Sequence, residues 1–118
     1  MKNTILVIDD NAMPVDIYEG VFSLWKFKVA FSGEEGLKIL DQISSEISLI
    51  ILDYRMPGLN GLEVLSQIRL THLHIPVIMH TSDTHIEHEA FQLGAHAFLP
   101  KLTDPKEFEK VIRRLLNK

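Results

Sequence analysis

Apolar and polar positions along this chain follow two rhythms. Short apolar runs recur as Ile5-Leu6-Val7-Ile8, Lys28-Val29-Ala30-Phe31, Leu49-Ile50-Ile51-Leu52, Val77-Ile78-Met79-His80 and Ala97-Phe98-Leu99. Runs with so little polar interruption predict strands covered on both faces, as in a parallel sheet. Between them, apolar residues fall at helical spacing. Ile17, Val21 and Leu24, with Tyr18, Phe22 and Trp25 beside them, predict a helix over 13–25 with a wide apolar face. Pro14 suits its first turn, where a missing N–H costs little. Ser32 with Glu35 predicts a capping box that opens a helix through Leu40. Asn60 with Glu63 caps a helix in which Leu62, Leu65 and Ile68 share a face. Thr84 with Glu87 starts another, carrying Ile86, Ala90 and Leu93, and Gly94 is suited to end it. Asp104, Pro105 and Glu107 open the last helix, with a buried stripe of Phe108, Val111, Ile112 and Leu115. Five strand–helix alternations predict an α/β fold, a parallel sheet with helices on both faces.

The strand ends carry the chemistry. The first run ends in Asp9-Asp10, the third in Asp53, the fourth in Thr81-Ser82, and the fifth leads through Pro100 to Lys101. In a parallel sheet all these ends lie on one edge, where open α/β sheets bind ligands. Met56-Pro57-Gly58 turns the chain away and leaves Asp53 at the rim. Three carboxylates on one rim repel each other unless a cation sits among them. An oxygen-only donor set that keeps some waters suits Mg²⁺.

Composition narrows the field. The chain has 118 residues, a net charge of −4 and no cysteine, which reads as one domain without disulfides or thiolate metal sites. The apolar share of 46% is that of a globular domain. The mildly acidic balance gives no reason to expect nucleic-acid binding. Met-Lys-Asn-Thr runs straight into a strand, so no signal peptide is read, and the apolar runs are too short to span a bilayer. The expectation is a soluble cytoplasmic protein. His72, His74, His85 and His88 lack the matching carboxylates or cysteines of a zinc site.

Asp9-Asp10, then Asp53 with Met56-Pro57 and Gly61 after it, then Thr81, then Phe98 three residues before Lys101, resembles the receiver domain of two-component response regulators. The resemblance covers essentially the whole chain, 1–118. It implies a doubly wound five-stranded parallel sheet of flavodoxin-like order 2-1-3-4-5. It implies that Asp53 accepts a phosphoryl group from a sensor histidine kinase or histidine phosphotransfer protein. Mg²⁺ would be held by Asp10, Asp53 and the backbone carbonyl of Arg55, with Asp9 acting through water. Lys101, the Thr81 hydroxyl and the Ser82 N–H would hold phosphoryl oxygens, and Phe98 would turn as a switch. The face made by the helix after Thr84, the strand at 97–99 and the last helix would then address an output partner. Met13, Pro14 and Ile17 would dock the kinase. A phosphoacceptor of this kind is a signalling module, a monomer or weak dimer, and not an enzyme with turnover on a separate substrate.

The chain departs from the family at three positions. Leu102 follows Lys101 where proline is usual, Phe98 replaces a commoner tyrosine, and Ala97 stands where many DNA-binding regulators carry an aspartate. A non-proline cis bond costs roughly 2.5–4 kcal/mol, so a trans Lys101–Leu102 bond is expected. Other functions on a similar fold need residues that differ from those present. A haloacid-dehalogenase-type hydrolase needs an aspartate two residues after its nucleophile, and Arg55 stands there. A flavodoxin needs a hydroxyl-rich phosphate loop, and Asp9-Asp10-Asn11 would repel the phosphate. A receiver-like module that works without phosphate, or a receiver excised from a larger regulator or hybrid kinase, shares the same motifs.

Overall fold

The computed structural model describes residues 3–11 and 25–116. The predicted helix over 13–25 lies, apart from Trp25, outside the described residues, and so do Met13, Pro14 and Ile17. The strands are β1 Thr4–Ile8, β2 Lys26–Ala30, β3 Ile47–Leu52, β4 Val77–Thr81 and β5 Ala97–Pro100. The helices are α1 Gly33–Ile43, α2 Gly61–Thr71, α3 Glu87–Gln92 and α4 Pro105–Leu116. All strand pairings are parallel, in the order β2-β1-β3-β4-β5, so β2 and β5 are the edges.

Register explains why the central runs are apolar throughout. Ile8 pairs with Ala30 and Leu52, Ile51 with Ile78, and Met79 with Phe98. Alternate residues of β1 and β3 then enter two cores. Leu6, Ile8, Ile50 and Leu52 join Leu40, Val64, Leu65 and Ile68 of α1 and α2 on one face. Ile5, Val7, Leu49 and Ile51 join Phe108, Val111, Ile112 and Leu115 of α4 on the other. Each fully buried side chain of this size contributes about 1.5–3 kcal/mol. The polar residues of such strands are therefore left to the ends.

Helix ends follow the sequence signals with two corrections. The Asn60–Glu63 capping box is reciprocal, at 2.9 and 2.8 Å. Ser32 Oγ accepts from the Glu35 N–H, but the Glu35 carboxylate takes the Phe31 N–H, at 2.7 Å, in place of that of Ser32. Phe31 thereby leaves the sheet and stands 48% exposed, while β2 starts two residues earlier than expected. Thr84 makes no side-chain cap: a 3₁₀ turn over Thr84–Ile86 leads into α3. Gly94, with φ +104°, ends α3 as expected; its N–H reaches Phe91 O and the Ala95 N–H reaches Ala90 O, a Schellman arrangement. Among the described residues no peptide bond is cis, so Lys101–Leu102 is trans as expected. No helix among them is long and apolar enough to cross a membrane.

Candidate functional site

Two backbone hydrogen bonds carry the ladder one residue past the strands. Asp9 N–H donates to Ala30 O at 3.0 Å and Asp53 N–H to Ile8 O at 2.9 Å. Asp9 and Asp53 therefore stand side by side on the carboxyl edge of β1 and β3. Asp10 follows, exposed. One carboxylate oxygen from each of Asp9, Asp10 and Asp53 lies within 4.8 Å of the other two. This is the single group of three or more potential metal ligands among the described residues, and such an oxygen set suits a hard cation.

The loop after Asp53 is clamped from below. Met56 is buried in the core and Gly58 turns with φ +77°. Gly61 N–H donates to Tyr54 O at 2.7 Å, and a Cβ at Gly61 would stand 2.1 Å from the Asp53 carbonyl oxygen. Only glycine permits that approach. It explains the glycine after the Met-Pro turn better than helix propensity does.

Lys101 closes the pocket. Its ammonium lies 2.5 Å from Asp9 Oδ2 and 3.5 Å from Asp53 Oδ2. Asp9 is 2% exposed, and its other oxygen accepts the Asn11 N–H at 3.0 Å. The deeper carboxylate thus has the closer cation, since a buried charge without a partner is the costlier one. Asp53 is half-buried, and its Oδ1 accepts the Tyr54 N–H at 2.7 Å. Burial raises the Asp53 carboxyl above the ordinary carboxylate value and Asp9 adds to the rise, while Lys101, the Tyr54 N–H and the Thr81 hydroxyl oppose it.

The rim on the β4 side is polar as well. Thr81 is buried at the strand end; its hydroxyl accepts the Asp83 N–H at 3.2 Å and donates to Asp83 Oδ2 at 3.4 Å. Ser82 beside it is exposed. The exposed Arg55 guanidinium spans to Asp83, with Nη2–Oδ1 at 2.6 Å and Nε–Oδ2 at 3.3 Å. That pairing holds the Asp83 carboxyl below its ordinary value. Tyr54 meets the His85 ring edge-on at 6.3 Å. Phe98 packs inward in the core under α3.

The structure thus brings Asp9, Asp10, Asp53 and Lys101 into one pocket, places Thr81 and Ser82 on its rim, and sets Phe98 behind it. Asp83 ties Thr81 to Arg55, the partner that the length and charge of Arg55 allow it to reach. One residue escapes the site reading. His80 is buried in β4 directly before Thr81, and an ionisable residue within an otherwise apolar buried strand was the available signal.

An open parallel sheet of this order, with an acidic pocket and a lysine at its carboxyl edge, is the architecture of a receiver-type signalling domain. The family model for the response regulator receiver domain matches residues 5–113, and the chain belongs to that family. The response regulator SaeR of Staphylococcus aureus is 33% identical over 97% of this chain and 50% of its own length. Across curated relatives the chain spans between 19% and 50% of their length. Among solved structures, a response regulator receiver domain protein from Clostridium thermocellum matches with a TM-score of 0.88 and 27% identity, over 98% of this chain and 94% of that one. The receiver domain of NtrX from Brucella abortus matches with a TM-score of 0.86 and 28% identity, over 97% and 98%.

Proposed function

We propose that this domain, over 1–118, accepts a phosphoryl group on Asp53 from a phosphohistidine of a sensor histidine kinase or phosphotransfer protein. One observation carries the reading: a half-buried strand-end carboxylate with two further carboxylates within 4.8 Å and an ammonium at 3.5 Å. An oxygen of Asp53 attacks phosphorus, the donor's N–P bond breaks, and the imidazole leaves with its electron pair and takes up a proton. The product is an acyl phosphate. Asp9, Asp10, Asp53 and the Arg55 carbonyl are the donors that would hold Mg²⁺, which when bound neutralises the acidic pocket and the incoming phosphoryl charge. The Lys101 ammonium pairs with one phosphoryl oxygen. The Thr81 hydroxyl gives up Asp83 for another, and Ser82 offers its N–H. Movement of Thr81 frees space toward which Phe98 turns, and the repacked face of α3, β5 and α4 addresses a partner, a population shift driven by one group's contacts.

Intact mass after acetyl phosphate treatment, with and without Mg²⁺, tests this reading. Wild type is expected to gain one phosphoryl group in the presence of Mg²⁺ and Asp53→Asn none; equal uptake by Asp53→Asn would sink the assignment. Mg²⁺ alone should also raise the unfolding midpoint, by the equivalent of about 2.7 kcal/mol at a hundred times its Kd. Because the Asp53 carboxyl is raised, protons compete with the metal there, so the Mg²⁺ effect should shrink as pH falls. An effect that grows on acidification would place the ion elsewhere.

Arg55 stands two residues after Asp53 and pairs with Asp83, which also bonds the Thr81 hydroxyl, so the pair is placed to hinder the water that attacks the acyl phosphate. Arg55→Ala is expected to lose the phosphoryl group a few-fold faster, a modest effect because an exposed ion pair is largely screened by solvent. Decay at the wild-type rate or slower would leave Arg55 as a solvated charge.

A further inference from the structure

His80 is used by nothing in the mechanism above, yet it is one of three buried polar or charged residues among the described ones, with Asp9 and Thr81. It lies on β4 opposite Leu99 of β5, two residues before Lys101. Its ring meets Phe108 of α4 edge-on, with centroids 4.7 Å apart and planes at 88°. The ring also hydrogen-bonds the Lys101 backbone; that bond favours the protonated ring, as donation to a carbonyl does. Strand β4 and the stack on Phe108 thus fix an imidazole whose polar edge meets the turn that carries the lysine.

That turn has few other restraints. Thr103 closes it from within, through N–H and hydroxyl bonds to Pro100 O at 3.0 and 2.7 Å. Leu102 is 97% exposed and holds nothing. Lys101–Leu102 is a trans bond without the conformational limit that proline imposes. The reach of the ammonium to Asp9 and Asp53 depends on where the Lys101 backbone sits.

We infer that His80 is a positioning residue: its imidazole, seated on Phe108, anchors the Lys101 backbone and thereby aims the ammonium into the acidic pocket. The inference rests on the proposed pairing of Lys101 with the phosphoryl group. The neutral ring is the form that can be buried here at an acceptable free energy, with Lys101 facing it from the turn after β5 and Asp9 from just past the end of β1. An aromatic seat plus one directed hydrogen bond gives orientation, and a misplacement of about 1 Å at a reacting centre can change rates on the order of a hundredfold.

The experiment compares beryllofluoride affinity in Mg²⁺ for wild type, His80→Phe, His80→Asn, His80→Gln, Lys101→Ala and the His80→Phe/Lys101→Ala double variant. Backbone amide shifts at 101–103 are read in the untreated proteins. Asn and Gln offer an amide donor near the two ring nitrogens, so one of them should restore binding. His80→Phe is expected to weaken beryllofluoride binding roughly tenfold, within that range, to shift the amides at 101–103, and to cause no further loss once Lys101 is alanine. Wild-type affinity in His80→Phe, unmoved amides, or an equal loss in the Lys101→Ala background would overturn the inference. Equal affinity of wild type and Lys101→Ala would instead remove the premise about Lys101. That comparison uses no His80 variant, so the two failures are told apart.

Discussion

Gly61→Ala is expected to destabilise the domain by about 1–3 kcal/mol or more, the usual range for a forced overlap in a packed region. The added Cβ would stand 2.1 Å from the Asp53 carbonyl oxygen and 2.8 Å from Tyr54 Cα. Both obstacles are backbone, so no side chain can swing aside. Relief requires the segment 53–54 to move away from the start of α2, which breaks the 2.7 Å bond from Gly61 N–H to Tyr54 O. Asp53 would move with it. The substitution should therefore weaken Mg²⁺ binding as well as stability, whereas an ordinary helix-start alanine substitution would do neither. Urea unfolding and Mg²⁺ titration of the variant check both. A Gly61→Ala protein as stable as wild type would mean that the loop has slack which these contacts deny.

Acidification is expected to remove roughly 3 kcal/mol of stability through His80 alone. Burial, with the Lys101 charge second, pushes the folded-state pKa of His80 from 6.5 down to about 4, and Asp9 opposes the shift. In the unfolded chain the ring takes a proton as pH falls below about 6.5. In the folded chain it stays neutral to about 4. Between those values the unfolded state binds more protons, so stability falls with pH across the window. Asp53, with its raised pKa, acts in the opposite sense, because its folded form takes a proton first. The His80 contribution is isolated by comparing slopes: stability should fall less steeply in His80→Phe than in wild type between pH 7 and 4.5, on the scale set by linkage. Parallel slopes would show that the ring is solvated in the fold and titrates there as it does in the unfolded chain.

The central strands were legible because burial on both faces leaves no room for polar residues, so β1, β3 and β4 announce themselves as apolar runs. Strand β2 was legible at 28–30 but its start was not, because Lys26-Phe27-Lys28-Val29 is an edge strand wet on one side and its start is set by pairing with β1. Thr84 failed as a cap because the chain turns more tightly there, with Asp83 N–H already taken by Thr81 Oγ1. The acidic site was readable because a strand end is a position in sequence as well as in space. The preference of Lys101 for Asp9 was not readable. It follows from the unequal depth of the two carboxylates, and depth depends on how the turn after β5 is held. The place of His80 was hidden for the same reason: its partner is a backbone group in the turn after another strand.

The two edges of the sheet bear on how the domain behaves in company. An open edge offers unpaired N–H and C=O groups to any extended chain, and two such edges can join sheets from separate molecules. On β2, Lys26 and Lys28 are exposed and alternate with the half-buried Phe27 and Val29. A chain laid along that edge would have to meet both ammonium groups. On β5 the edge is four residues long and ends at Pro100, which has no N–H to give. Edge-to-edge aggregation is blunted at one side by charge and at the other by brevity. Many copies, or many neighbouring domains of the same architecture, can then share a crowded solution without their sheets fusing.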